Sequence, residues 1–498
     1  METSVRETLL AKVYDIAIES PLDFAKKSSR ILENNIYLKR EDLQPVNSFK
    51  LRGAYNKIAS LTAEEKKRGV IAVSAGNHAQ GVALSAQKLN LLATIVMPKT
   101  TPDIKVEAVK SFGAEVILFG DNYDEAYEHC RKLMDKTGRI LVHPFNDPYV
   151  IAGQGTIGRE IMEQLPDTDY IFVPVGGGGL IAGIAQYVKS LNPDVQIIGV
   201  EPADCNAMQM SLRKGRIVEL NEIGIFADGV AVKKVGDLTF DIVRNYVDDI
   251  ITVTTDQICA AIKTVFEETR SIVEPAGALS IAGAYKHTEK NDIKGKNIVV
   301  INSGANMSFE KLQFVSERTL VGSSKEALFS VELPEKAGAL RRFCSEIIQN
   351  HNITEFNYRL DTRARANIFV GVSLSGVEDK KKFINLMKRK KYNHIDMSND
   401  DIAKDHIRHM IGGKSTVVKN EKIYEVIFPE RPNALSDFLE NLAGTSNISL
   451  FHYRGVGADV GKVLVGFETE ETGKLENVFK KSGMDYTPIE SIATKIYL

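Results

Sequence analysis

The chain of 498 residues contains no tryptophan, and its 4 cysteines (Cys130, Cys205, Cys259, Cys344) are scattered with no C-x-x-C pair. Such spacing points to neither a disulfide framework nor a zinc site, no metal is expected, and a reducing cytosol fits best. Charge of one sign is also lacking. The formal net charge of -2 argues against nucleic acid or an acidic membrane as a partner recruited by bulk electrostatics. No apolar run approaches the roughly 18 residues of a membrane span. YIFVPV (170–175) and NIVVIN (297–302) read as buried strands by their length. The opening METSVRETLLAKVYDIAIESPL carries Glu2, Glu7 and Asp15 and has no signal-peptide core, nor the arginine content of a transit peptide. What remains is an ordinary globular composition with a length that implies roughly three domains.

From about residue 35 to 305, short apolar runs alternate with amphipathic helical stretches. GVIAVSAG (69–76), LLATIVMP (91–98), AEVILFG (114–120), VQIIGVEP (195–202) and NIVVINSG (297–304) are examples. Continuous Val/Ile strands separated by helices imply an α/β fold with a parallel sheet covered on both faces. Ligands in such folds bind at the carboxyl ends of the strands, where the glycine-rich turns of this sequence fall. Beyond about residue 322 the pattern changes to an internal repeat. LFSVELPEKAGALRRF (328–343) aligns with IYEVIFPERPNALSDF (423–438), and NITEFNYR (352–359) with NISLFHYR (447–454), at a constant spacing of 95. Each copy implies the order strand, turn, helix, strand, strand. Two small α+β modules of one kind read as a sensing unit, and the chain divides into 1–321, 322–417 and 418–498.

Three glycine turns compete for a ligand. GQGTIG (153–158) is a literal G-x-G-x-x-G, but the preceding HPFNDPYVIA holds two prolines and makes a poor central strand, so a nicotinamide site is not expected. VPVGGGGL places Gly176, Gly177, Gly178 and Gly179 between a strand and a helix, where bare backbone N–H groups and the helix field suit an anion. No Walker lysine accompanies it, so a small phosphate is expected rather than a nucleoside triphosphate. SAGNHAQG (74–81) presents Ser74, Ala75, Gly76, Asn77 and His78 at another strand end, suited to a carboxylate. His78 taken alone reads as a packing or cap histidine.

VNSFKLRGAY (46–55) puts Lys50 at the head of a helix, behind the strand NIYLKRE and the turn DLQP. It is either a solvated surface lysine or one buried at a junction, where desolvation makes the amine nucleophilic. A nucleophilic lysine, a phosphate cup and a carboxylate cradle together fit pyridoxal 5′-phosphate with an amino-acid substrate. Ser303, in NSGAN (302–306), is a neutral hydroxyl for the ring nitrogen; it makes a weaker electron sink than aspartate and favours β-elimination over transamination.

SFKLRGA, SAGNHAQG, VPVGGGGL, EPAGA (274–278) and NSGAN occur in an order that resembles the serine/threonine dehydratases of fold-type II (tryptophan synthase β-like) pyridoxal-phosphate enzymes. The doubled C-terminal module resembles the paired ACT-like regulatory domains of the biosynthetic threonine ammonia-lyases. The resemblance implies Lys50 as the covalent anchor of the cofactor, Phe49 packed beside its ring, and Asn77 on its 3′-oxygen. It implies Gly176 to Gly179 on the phosphate and Ser303 on the ring nitrogen. It further implies deamination of L-threonine to 2-oxobutanoate and ammonia, inhibition by isoleucine with valine as antagonist, and a cytoplasmic homotetramer. Tyr358-Arg359 and Tyr453-Arg454 end equivalent strands of the repeat. They serve either as effector contacts, arginine to a carboxylate and tyrosine to a side chain, or as a strand-edge pair joining the copies. Two rivals stand beside this expectation: a serine-directed dehydratase or racemase of the same fold, and a non-catalytic amino-acid sensor.

Overall fold

The computed structural model describes residues 3–334, 339–349, 351–357, 365–409, 420–429, 438, 442, 447–455, 460–469, 472–481 and 484–497. The chain separates into two compact units, Met1–Ser308 and Phe309–Leu498.

In the first unit the apolar runs become β1 (Leu22–Phe24), β2 (Asn35–Arg40), β3 (Val70–Val73), β4 (Ala93–Met97) and β5 (Glu115–Leu118). They continue as β6 (Ile140–Leu141), β7 (Tyr170–Pro174), β8 (Gln196–Pro202), β9 (Asp249–Val253) and β10 (Asn297–Asn302). These form two sheets instead of the one that their alternation with helices implies. The larger has the order β1-β2-β10-β7-β8-β9 and the smaller β5-β4-β3-β6. All pairings are parallel except β1 with β2. A run of Val and Ile declares a strand buried on both faces, but any of its fellows satisfies that requirement, so sheet membership is not written in it.

Each sheet has its own core. Ile171, Val173, Val299 and Ile301 pack with Ile181, Ile184 and Val188, while Val70, Ala72, Ile95 and Met97 pack with Ala54, Ile58, Val82 and Ala83. Each fully buried aliphatic side chain contributes about 1.5–3 kcal/mol. Because β2, β10 and β7 are neighbours in the larger sheet, the segments leaving their carboxyl ends are brought side by side.

The motif GQGTIG lies inside the helix Pro148–Gln164. Its glycines serve close packing: a Cβ on Gly153 would sit 2.7 Å from the Arg52 carbonyl, and one on Gly155 3.0 Å from the Gly183 carbonyl. The helix starts where Asp147 accepts the N–H groups of Tyr149 and Val150 and Pro148 opens the first turn.

The second unit carries the repeat. The first copy contributes β11 (Glu326–Pro334), β12 (Ile353–Asn357), β13 (Arg365–Ser373) and β14 (His394–Asp396). The second contributes β15 (Glu421–Pro429), β16 (Asn447–Gly455), β17 (Val460–Glu468) and β18 (Tyr486–Pro488). The antiparallel sheets have matching orders, β12-β13-β11-β14 and β16-β17-β15-β18. Likeness extends to detail. Both copies have a bulge at the same place, between Ile353 and Glu355 and between Ile448 and Leu450. In each, the bulged hydroxyl, Thr354 or Ser449, donates to the carboxylate that opens the central strand, Glu326 or Glu421. Leu328 and Phe369 of the first sheet share a buried cluster with Leu464 of the second.

Candidate active site

Lys50 begins the helix Lys50–Ala59, directly after Phe49. Lys50 is half-buried as a residue, and its Nζ lies 5.2 Å from the Phe49 ring centroid and donates to the Pro144 carbonyl at 3.2 Å. Burial pushes the ammonium down to about 8, against the opposing pull of the Glu274 carboxylate. A lysine held by a neutral carbonyl with a lowered pKa has the character of a nucleophile, so the surface-lysine alternative does not describe it.

Neighbouring strands deliver the other groups. Ser303 follows β10, is buried, and accepts the Phe49 N–H on its carbonyl at 3.2 Å, which ties it to the residue before Lys50. Ser48 and Gly304 form a further bridge between the same segments. The glycine turn follows β7 and opens the helix Gly179–Leu191. Gly178 adopts φ of +93°, a conformation that side chains disfavour. Gly177 is bare for a different reason: a Cβ there would lie 2.2 Å from the Phe145 ring. The segment His143–Asn146 therefore joins lysine and turn, Pro144 receiving Lys50 while Phe145 packs on the glycines. Thr239 donates to the Gly177 carbonyl at 2.6 Å and fixes the turn from the other side.

Ser74 to His78 leave β3 and enter the helix Asn77–Lys88. A Cβ on Gly76 would meet nothing within 4 Å, so open space lies beside this turn. His78 is buried and its Nε2–H donates to the Val142 carbonyl at 2.7 Å; burial and the nearby Lys50 push its pKa down to about 3. That is a neutral packing histidine. Asn77 donates from Nδ2 to Glu274 at 2.6 Å and accepts on Oδ1 from Asn306 at 2.7 Å. The helix Lys50–Ala59 and the helix Asn77–Lys88 touch at Gly81, where a Cβ would lie 3.0 Å from the Leu51 nitrogen.

These residues suit pyridoxal phosphate: a desolvated amine, glycines at a strand-to-helix turn, a serine at the next strand end, and an open cradle. Sequence reasoning passed over three contributors. Glu274 and Asn306 stood inside quoted stretches, EPAGA and NSGAN, without a role, and Pro144 lay in a segment judged only as a poor strand. For Glu274 a signal existed, an acid before Pro at a helix start, but it reads equally as a cap. Glu201 accepts the N–H groups of Met208 and Gln209 at 2.9 and 2.8 Å. Asp228 pairs with Lys105 at 3.0 Å. Among the described residues no group of three or more His, Cys, Asp or Glu could hold a metal.

Of the effector candidates, Tyr358 and Arg359 lie outside the described residues. Tyr453 and Arg454 stand on β16, opposite Val463 and Lys462 of β17.

Comparison with known proteins decides the family. A model described as pyridoxal-phosphate dependent enzyme matches residues 14–304, and one for the C-terminal regulatory domain of threonine dehydratase matches 317–407 and 412–492. The biosynthetic L-threonine dehydratase of Burkholderia multivorans is 47% identical over 497 residues, 99% of this chain and 98% of that protein. The chain belongs to the biosynthetic threonine dehydratases. Among solved structures, the processed threonine deaminase isoform 2 of Solanum lycopersicum is 52% identical, with a TM-score of 0.63 over 63% of this chain and 87% of that one. Maize serine racemase is 34% identical with a TM-score of 0.59, over 64% of this chain and 97% of that one. The fold is therefore a fold-type II pyridoxal-phosphate-dependent catalytic domain followed by regulatory domains.

Proposed function

We propose that the chain deaminates L-threonine to 2-oxobutanoate and ammonia, with residues 1–321 catalytic and two regulatory modules at 322–417 and 418–498. The observation that carries the reading is Lys50, desolvated at a helix head and held by a neutral carbonyl beside a glycine turn and Ser303. Pyridoxal phosphate, when bound, supplies the electron sink that makes the Cα–H bond of an amino acid acidic. In this reading Lys50 anchors the cofactor with Phe49 packed beside its ring. Asn77 donates to the ring oxygen, Ser303 meets the ring nitrogen, and the N–H groups of Gly176 to Gly179 hold the phosphate.

Ser74 to His78 hold the threonine carboxylate by backbone N–H groups, which fixes the Cα–H bond toward Lys50. Lys50 Nζ, with its lowered pKa, is the base that would take the Cα proton of the bound amino acid. The β-hydroxyl would take a proton from a general acid, either Lys50 Nζ or the cofactor phosphate, and leave as water; the released enamine then takes up water to give 2-oxobutanoate and ammonia. Serine lacks one methyl group of threonine, a difference worth about 1–3 kcal/mol, so it should react more slowly without being excluded.

The regulatory modules bind the end-product amino acid isoleucine, with valine opposing it, and the effector contacts lie near Tyr358-Arg359 and Tyr453-Arg454. An effector shifts activity by binding one state better than another, and a homotetramer offers such states. No helix among the described residues is long and apolar enough to cross a membrane, and a cytosolic setting suits the scattered free cysteines.

The test is the initial rate of 2-oxobutanoate formation over a range of threonine concentrations, with and without isoleucine. Turnover that isoleucine suppresses, with a more sigmoidal threonine curve, is expected. Turnover indifferent to isoleucine would discard the effector, and turnover of serine alone would favour the racemase-like rival.

A further inference from the structure

Asn77 presents an amide whose two ends have nearly the same shape, so its neighbours must decide which way it faces. The deciding contacts run in one direction. The Val46 carbonyl only accepts, and it takes an N–H from Asn306 Nδ2 at 2.8 Å. The same Nδ2 donates its other hydrogen to Asn77 Oδ1 at 2.7 Å. Asn77 Nδ2 is thereby turned to Glu274, a buried carboxylate, at 2.6 Å. The two donors, Asn306 Nδ2 and Asn77 Nδ2, are each fixed by an oxygen that only accepts: the Val46 carbonyl for the first and the Glu274 carboxylate for the second. The series ends on a charge, which shortens and strengthens the last bond. One N–H of Asn77 is left over for a ligand.

We propose that Glu274 and Asn306 are positioning residues that lock the Asn77 amide with its free N–H toward the cofactor ring oxygen, Glu274 also acting on Lys50 through its charge. The proposal rests on the cofactor reading above and deepens it. Four segments distant in sequence meet here, Val46, Asn77, Glu274 and Asn306, and the first lies four residues before Lys50. Lys50 is faced by Glu274, His78 and His143. Both histidines have pKa values pushed down by burial, and the opposing pull that raises Lys50 comes from the Glu274 carboxylate. Loss of that charge leaves burial unopposed.

Two measurements on the full-length protein test this. The first is the dissociation constant of pyridoxal phosphate, read from its visible absorbance, for Glu274→Gln, Glu274→Ala and Asn306→Ala. Gln can still accept from Asn77, so E274Q should bind within about threefold of wild type. E274A and N306A should bind roughly tenfold or more weakly, because a buried amide loses its partner. The second needs no cofactor: the rate of Lys50 labelling by an amine-reactive reagent against pH, followed by mass spectrometry of its peptide. The midpoint should be near 8 in wild type and lower in E274Q. Should E274A fail to fold, N306A carries the comparison. E274Q that binds as poorly as E274A, or a labelling midpoint that stays at the wild-type value, would overturn the proposal. A wild-type protein that takes up no cofactor would count against the function instead, while the E274Q labelling would still decide the role of Glu274.

Discussion

Arg52, two residues beyond Lys50, is fully buried between two carboxylates. Its guanidinium donates to Glu41 at 2.8 Å and to Glu160 at 2.5 Å, and Lys39 reaches Glu160 at 2.6 Å. Burial alone would raise the Glu160 carboxyl, but Arg52 and Lys39 outweigh it and hold its pKa below the ordinary range. Two cations and two anions balance here out of contact with water, so removal of one leaves an uncompensated charge. Arg52→Ala should cost about 3–5 kcal/mol of stability, measured as a lower urea midpoint of the catalytic unit. A loss under about 1 kcal/mol would mean that the pairs are replaceable by packing. At this scale the sequence discloses Lys50, because a strand, a turn and a helix head frame it within twenty residues. Arg52, Glu160 and Glu274 are hidden, since their partners lie far along the chain and an isolated charge reads as a solvated one. The distance from Asn77 to Glu274 is 197 residues.

The glycine turns divide by what surrounds them. GGGG is legible as a site because it separates a clear strand from a clear helix, where N–H groups are free. GQGTIG has the letters of a nucleotide turn but sits in a helix interior, where its glycines let helices approach closely. Context, not the letters, distinguishes them. The repeat was legible by its constant spacing, and the structure adds the reason for a glycine that both copies carry at the matching position. Gly371 and Gly466 stand opposite the bulges, where a Cβ would lie 2.5 Å from Thr354 Oγ1 and 2.7 Å from Ser449 Oγ. Gly371→Ala or Gly466→Ala should therefore push apart the hydroxyl and carboxylate of its module, at a cost of about 1–3 kcal/mol. A thermal scan should show a lower Tm for the regulatory unit, with threonine turnover in the absence of effector retained. An unchanged Tm would mean that the bulge relaxes freely.

For the whole molecule, the alternation of apolar strands and helices establishes an α/β catalytic unit and the repeat a second unit of a different kind. It leaves open that ten strands of the catalytic unit part into two sheets, because pairing is decided by packing among all of them together. That division matters for the site. β2, β10 and β7 of one sheet bring Lys50, Ser303 and the glycine turn abreast, and β3 of the other brings the turn from Ser74 to His78. Everything in the account depends on Lys50 carrying the cofactor. The most direct measurement is reduction of the cofactor-loaded protein with borohydride, which fixes the linkage, followed by proteolysis and mass spectrometry. The added mass is expected on the peptide containing Lys50 and on no peptide of Lys50→Ala. Added mass on another lysine, or its persistence in Lys50→Ala, would contradict the account.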